Sequence, residues 1–87
     1  DNAIAQLTTA LSKAKPNKAA LDPTVIHFYR GTAYYYKGEY ARAIADYNSA
    51  IQLHPKLAEA FNNRGSAYDD KGQYDRAIAD FNQAILL

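Results

Sequence analysis

Residues 24–53 of this 87-residue chain recur at 58–87. With a shift of 34 positions, 16 of the 30 residue pairs are identical, far beyond what chance pairing gives. Arg30-Gly31 matches Arg64-Gly65, and Ala33-Tyr34 matches Ala67-Tyr68. Lys37-Gly38 matches Lys71-Gly72, and the run Arg42-Ala43-Ile44-Ala45-Asp46 matches Arg76-Ala77-Ile78-Ala79-Asp80. Self-similarity at this period marks an array of short units, each too small to bury its apolar face alone, that must stack on one another.

Each copy reads as two helices and a turn. Phe61, Gly65 and Tyr68 step by four then three, the spacing of one helix face. Gly72 ends that helix, because glycine takes the left-handed backbone angles of a helix stop. Tyr74, Ala77, Ile78, Phe81, Ala84 and Ile85 then form the apolar stripe of a second helix. Gly31 and Gly65 fall mid-helix, where glycine costs about 1 kcal/mol against alanine; a close helix approach would offset that cost. Seventeen of the 87 residues are alanine, which favours closely packed helices. Pro55 stops the second helix of the first copy.

These residues resemble the tetratricopeptide repeat. His27, Arg30-Gly31, Tyr34, Ala43, Tyr47 and Pro55 take the signature positions in the first copy. Phe61, Arg64-Gly65, Tyr68, Ala77 and Phe81 take them in the second. The sequence departs twice from the pattern: Arg30 and Arg64 stand where leucine is usual, and His27 where a large apolar residue is usual, which predicts looser packing of the first unit. The resemblance implies an all-α, right-handed superhelical solenoid of antiparallel helix pairs. Tyr34, Tyr40, Tyr47, Tyr68, Tyr74 and Phe81 sit at the family's packing positions.

The N-terminal stretch reads as a half-unit. Ala3, Ile4, Ala5, Leu7, Ala10 and Leu11 keep the second-helix stripe, and a linker punctuated by Pro16 and Pro23 follows. The expected organisation is a half-repeat helix and linker over 1–23 and repeats over 24–57 and 58–87, all in one structural domain. The five helices are expected near 2–14, 24–36, 40–53, 58–70 and 74–86. Ile4, Leu7 and Leu11 should pack the first of them on the second. Both ends look cut, so the last helix is expected to keep an open apolar side, although Ala77, Phe81 and Ile85 should pack within their unit.

The sequence offers little for catalysis. There is no cysteine, hence no disulfide or thiolate site. His27 and His54 belong to no zinc or nucleophile spacing, and read as a packing and a loop residue. Asp69 and Asp70 are neighbours on a helix and point about 100° apart, so they do not clasp one proton or metal. The glycines are repeat glycines, not a phosphate loop. The chain is therefore expected to be no enzyme and to take no cofactor or metal. Net charge runs +1 over 1–23, +2 over 24–57 and −2 over 58–87, from three Lys and two Asp, four basic and two acidic, and three basic and five acidic residues. No segment is basic enough for nucleic acid, and no apolar run is long enough to span a membrane. The compartment stays open, with a soluble, cytoplasmic chain expected over an exported one.

Two sets of residues remain. Arg30 with Asp46, and Arg64 with Asp80, recur at inter-helix positions where a lone buried charge would cost several kcal/mol. They read as ion pairs between the helices of a unit, the alternative being a ligand-binding arginine. The second set lies on the first helices, which line the groove in the family. Its members are Phe28, Thr32, Tyr35 and Tyr36 in copy one, with Val25 beside them, and Asn62, Asn63, Ser66, Asp69 and Asp70 in copy two, with Glu59. Here the copies diverge while their scaffold is kept, which suggests recognition. The family's carboxylate clamp is not supported, since Val25, Phe28, Glu59 and Asn62 stand where bases would be wanted. The expected function is binding of a peptide or protein partner, basic or aromatic-rich in character. The alternative is self-assembly, in which repeat ends stack into an oligomer or longer superhelix, with self-association through the C-terminal repeat.

Overall fold

The computed structural model describes residues 2–13 and 22–87. Among the described residues there are five α-helices and no strand: α1 (Asn2–Lys13), α2 (Pro23–Tyr36), α3 (Tyr40–Leu53), α4 (Ala58–Asp70) and α5 (Tyr74–Leu86). Each expected helix is present within a residue at each end. Pro23 is the first residue of α2, where its fixed φ is already helical and its missing N–H is no loss. The Asp22 carboxylate caps that end by accepting from the Thr24 amide at 2.8 Å. Residues 14–21 of the expected linker, Pro16 among them, lie outside the described residues.

The two tight turns are the same motif. Gly38 and Gly72 adopt φ of 84° and 83°. The Glu39 amide donates to Tyr34 O at 2.9 Å and the Gln73 amide to Tyr68 O at 2.8 Å, while Gly38 and Gly72 donate to Tyr35 O and Asp69 O. These bonds satisfy the last carbonyls of α2 and α4 and reverse the chain. Helix pairs α2/α3 and α4/α5 are thus antiparallel hairpins, and they make the most extensive packing in the fold. Next come α3 on α4 and α1 on α2, while α2 and α4 only touch. The chain is an all-α solenoid of stacked helix pairs, 12 Å across its thinnest dimension.

Small residues draw the helices together. Of the eight buried apolar residues, five are alanine: Ala43, Ala50, Ala60, Ala67 and Ala77. Gly31 and Gly65 are buried too, each under the ring of the facing helix. A Cβ at Gly31 would lie 3.0 Å from Tyr47 Cε1, and one at Gly65 would lie 2.8 Å from Phe81 Cε1. Tyr47 is fully buried and Ile26, which the repeat pattern did not single out, is 2% exposed. Ile4, Leu7 and Leu11 of α1 are half-buried, as expected of a helix covered on one side.

Two expectations need correction. Tyr34, Tyr40, Tyr68 and Phe81 are half-buried, not core, and Tyr74 is exposed. Ile85 does not pack within its unit but is 81% exposed, and Ile78 is 57% exposed where its counterpart Ile44 is 8% exposed. For Ile78 and Ile85 the reason is the stacking itself, whereas Tyr40 has the Tyr35 ring 5.6 Å away and Tyr74 has Asp69 in the matching place. The α3 stripe is wide because it serves α2 on one side and α4 on the other. The same stripe on α5 meets only α4.

Candidate functional site

The two arginines of the repeat have the same surroundings. Arg30 Nε donates to Asp46 Oδ2 at 2.7 Å and its Nη2 to Oδ1 at 2.6 Å. Arg64 makes the same fork to Asp80, at 2.8 and 2.7 Å. Asp46 and Asp80 are 3% and 5% exposed, so these carboxylates depend on their arginines. The aspartate hydrogen bonds hold both guanidinium groups above their ordinary range. The remaining Nη1 reaches across the unit boundary: from Arg30 to Thr8 Oγ1 on α1 at 3.0 Å, and from Arg64 to Asn48 Oδ1 on α3 at 2.8 Å. Each arginine thus ties its own hairpin shut and clips it to the helix before it. His27 adds a second partner to Asp46, its Nδ1 lying 3.0 Å from Oδ1, while Phe61 in the matching place adds none. The cross-boundary bonds were not expected; the only signal for them in the sequence is that Thr8, Asn48 and Asn82 share one register position.

The groove residues lie along α2 and α4, which run side by side on one face of the stack. Phe28 packs against Tyr29 and Tyr47, with ring centroids 5.5 and 5.9 Å apart. It sits at the edge of an open cleft of about 590 Å³ lined also by Ala58, Glu59, Asn62, Asn63 and Ile85. A second, smaller cleft of about 170 Å³ is lined by Thr32, Tyr35, Tyr36, Tyr47, Asn63 and Ser66. Seven of the nine expected groove residues therefore line two adjoining clefts that share Asn63. Asp69 and Asp70 line neither. Asp69 is exposed, while Asp70 accepts from the Tyr35 hydroxyl at 2.6 Å. That bond joins the C-terminal ends of α2 and α4 across the groove.

The Tyr35 bond has a measurable consequence. Asp70 pushes the Tyr35 hydroxyl up to about 12, because ionising it would forfeit the hydrogen bond and set two anions together. The folded value lies above the unfolded one of about 10. The contribution is therefore whole below pH ~10 and lost as pH climbs through about 12. In a tyrosine absorbance titration, Asp70→Asn should return one late-ionising tyrosine toward ~10. An unchanged titration would mean that the bond does not form in solution. Tyr47 is also raised, first by burial, and keeps its proton.

No helix among the described residues is long and apolar enough to cross a membrane.

Comparison with known proteins agrees with this architecture. A family profile described as "TPR repeat" matches residues 31–71, and one described as "Tetratricopeptide repeat" matches residues 58–87. No curated protein matches the chain. Among solved structures, the one titled "Crystal structure of MamA" superposes with a TM-score of 0.79 at 26% identity over 98% of this chain. The chain spans 48% of that protein's length. Two profiles that together run from residue 31 to residue 87, on a stack of antiparallel helix hairpins, place this chain in the tetratricopeptide repeat family.

Proposed function

We propose that the chain binds a peptide segment of a partner protein on the face formed by α2 and α4. Tetratricopeptide repeats generally mediate protein–protein interactions, and the fold typically serves as a non-catalytic scaffold. What carries the groove assignment is that seven of the nine diverged positions line two clefts meeting at Asn63. The larger cleft is apolar at Phe28, Phe81 and Ile85 and polar at Asn62 and Asn63, a mixture that holds an extended segment by one side chain and its backbone. Selection from an unbiased peptide library tests this. Phe28→Ala should weaken a selected peptide by about ten-fold, the loss of one aromatic contact. Selected peptides that bind Phe28→Ala and Asn63→Ala as tightly as the parent would place the site elsewhere.

Self-association has one specific observation in its favour. Tyr74, Ile78 and Ile85 on α5 are exposed by 62, 57 and 81%, while their α3 counterparts Tyr40, Ile44 and Ile51 are half-buried or buried. Paired across two copies, this face would bury what the stack leaves open. Sedimentation at several concentrations should show a dimer that Ile78→Glu abolishes. A monomer throughout removes this reading and leaves the groove untouched.

A further inference from the structure

The smaller cleft has an uncommon hydrogen-bond balance. Five hydroxyl-bearing residues line it: Thr32, Tyr35, Tyr36, Tyr47 and Ser66. Thr32 donates its one proton to Phe28 O at 3.0 Å, and Ser66 donates to Asn62 O at 3.3 Å. Tyr35 donates to Asp70 at 2.6 Å. Tyr47 Oη lies 2.9 Å from Thr32 Oγ1, and with the threonine proton already committed the tyrosine is the donor. Asn63 completes the lining with a side-chain amide, whose carbonyl oxygen is a further acceptor. Four of the five hydroxyl protons are spent, all but that of Tyr36, so what those four hydroxyls offer a ligand is oxygen lone pairs.

The rest of the cleft points the same way. No cationic residue lines it. Lys37, next to Tyr36 in the chain, is paired with Glu39 at 3.5 Å, and Lys71 is exposed. Helices α2 and α4 both end at its rim, at Tyr36 and Asp70, where their dipoles add negative potential. Tyr36 stands there 82% exposed, edge-on to Tyr35 at 5.4 Å, with its ring open to a ligand.

We propose that this cleft is the seat of an arginine side chain carried by the bound peptide. A guanidinium has five donors and no acceptor, so it suits a site that presents acceptors. Its plane stacks on an exposed tyrosine, and its five donors reach oxygens spread over two helices where a compact ammonium reaches fewer. The proposal deepens the groove reading and rests on it, since the cleft opens on the same face and shares Asn63 with the larger one.

Capped alanine pentapeptides with a central arginine, lysine, citrulline or norleucine test it on the whole chain. Nuclear magnetic resonance titration should show the arginine peptide shifting the amide signals of Thr32, Tyr36, Asn63 and Ser66. Citrulline, which keeps the shape and loses the charge, should bind at least about ten-fold more weakly. Lysine should fall between. Tyr36→Leu, at an exposed position that does not support the fold, should weaken the arginine peptide by about three-fold. Ser66→Leu should fill the cleft and abolish the shifts, with a thermal melt to confirm folding. Citrulline binding as tightly as arginine, lysine binding more tightly, or arginine shifts confined to other residues would each overturn the assignment. Failure of the groove reading looks different: arginine would seat at Ser66 while no library peptide moves Phe28 or Asn62. A library peptide that moves those two and does not compete with the arginine peptide would keep the groove and remove this seat.

Discussion

Replacing Arg64 with alanine should lower the melting temperature by about 15 °C, the equivalent of about 3 kcal/mol in a domain of this size. The change strips Asp80, 5% exposed, of both bonds of its fork. It also frees Asn48 and uncovers the faces of Phe61 and Tyr68, over which the guanidinium carbon lies at 5.3 and 5.9 Å. An unpaired buried carboxylate is the larger part of the loss, so removing the charge as well should relieve it. Arg64→Met with Asp80→Leu is expected to recover most of the stability. Arg30→Ala should cost less, because Asp46 keeps His27 at 3.0 Å. Thermal melts of the four proteins decide the matter. A melting temperature unmoved by Arg64→Ala would mean that the fork does not hold the hairpin, and would return this arginine to the pool of ligand-binding candidates.

Gly65→Ala should destabilise the chain by about 1–3 kcal/mol, against the usual expectation for a helix. Helix propensity alone favours alanine by about 1 kcal/mol. Against that gain, the new methyl would meet Phe81 Cε1 at 2.8 Å, Phe81 Cδ1 at 3.0 Å and the Ala77 carbonyl oxygen at 3.2 Å. A ring can tilt, but a helix backbone carbonyl moves only with its helix, so α4 and α5 must part. Phe81→Leu introduced beside Gly65→Ala should recover part of the loss by vacating the ring edge. If Gly65→Ala instead raises the melting temperature, the notch is wider in solution and the close approach is not what holds this glycine in place.

The repeat was sufficient for the helix boundaries because each is set locally. Gly38 and Gly72 reverse the chain through bonds spanning only a few residues, and the apolar period continues between one stop and the next. The ion pairs were legible for a related reason. A charge recurring at a packing position in both copies needs a counter-charge, and Asp46 and Asp80 recur with it. The proposed groove positions were legible in the sequence only as places where the copies differ. How they associate was not: the Tyr35–Asp70 bond joins residues 35 apart and depends on how two helices happen to end beside each other.

What the sequence determined by itself, then, is the unit: two helices, a glycine stop, a small-residue seam and a charged fork. Each arises from interactions within about 34 residues, so the period carries it. What only the tertiary structure decided is how units meet. Stacking leaves Ile78 and Ile85 exposed while burying Ile44 and half-covering Ile51, although these share one register. Burial depends on a neighbour, and a repeat pattern states a residue's phase without stating whether a neighbour is there. Likewise, no single helix carries the acceptor-lined cleft. It exists because Thr32, Tyr47 and Ser66, from three helices, line one space with their protons already engaged.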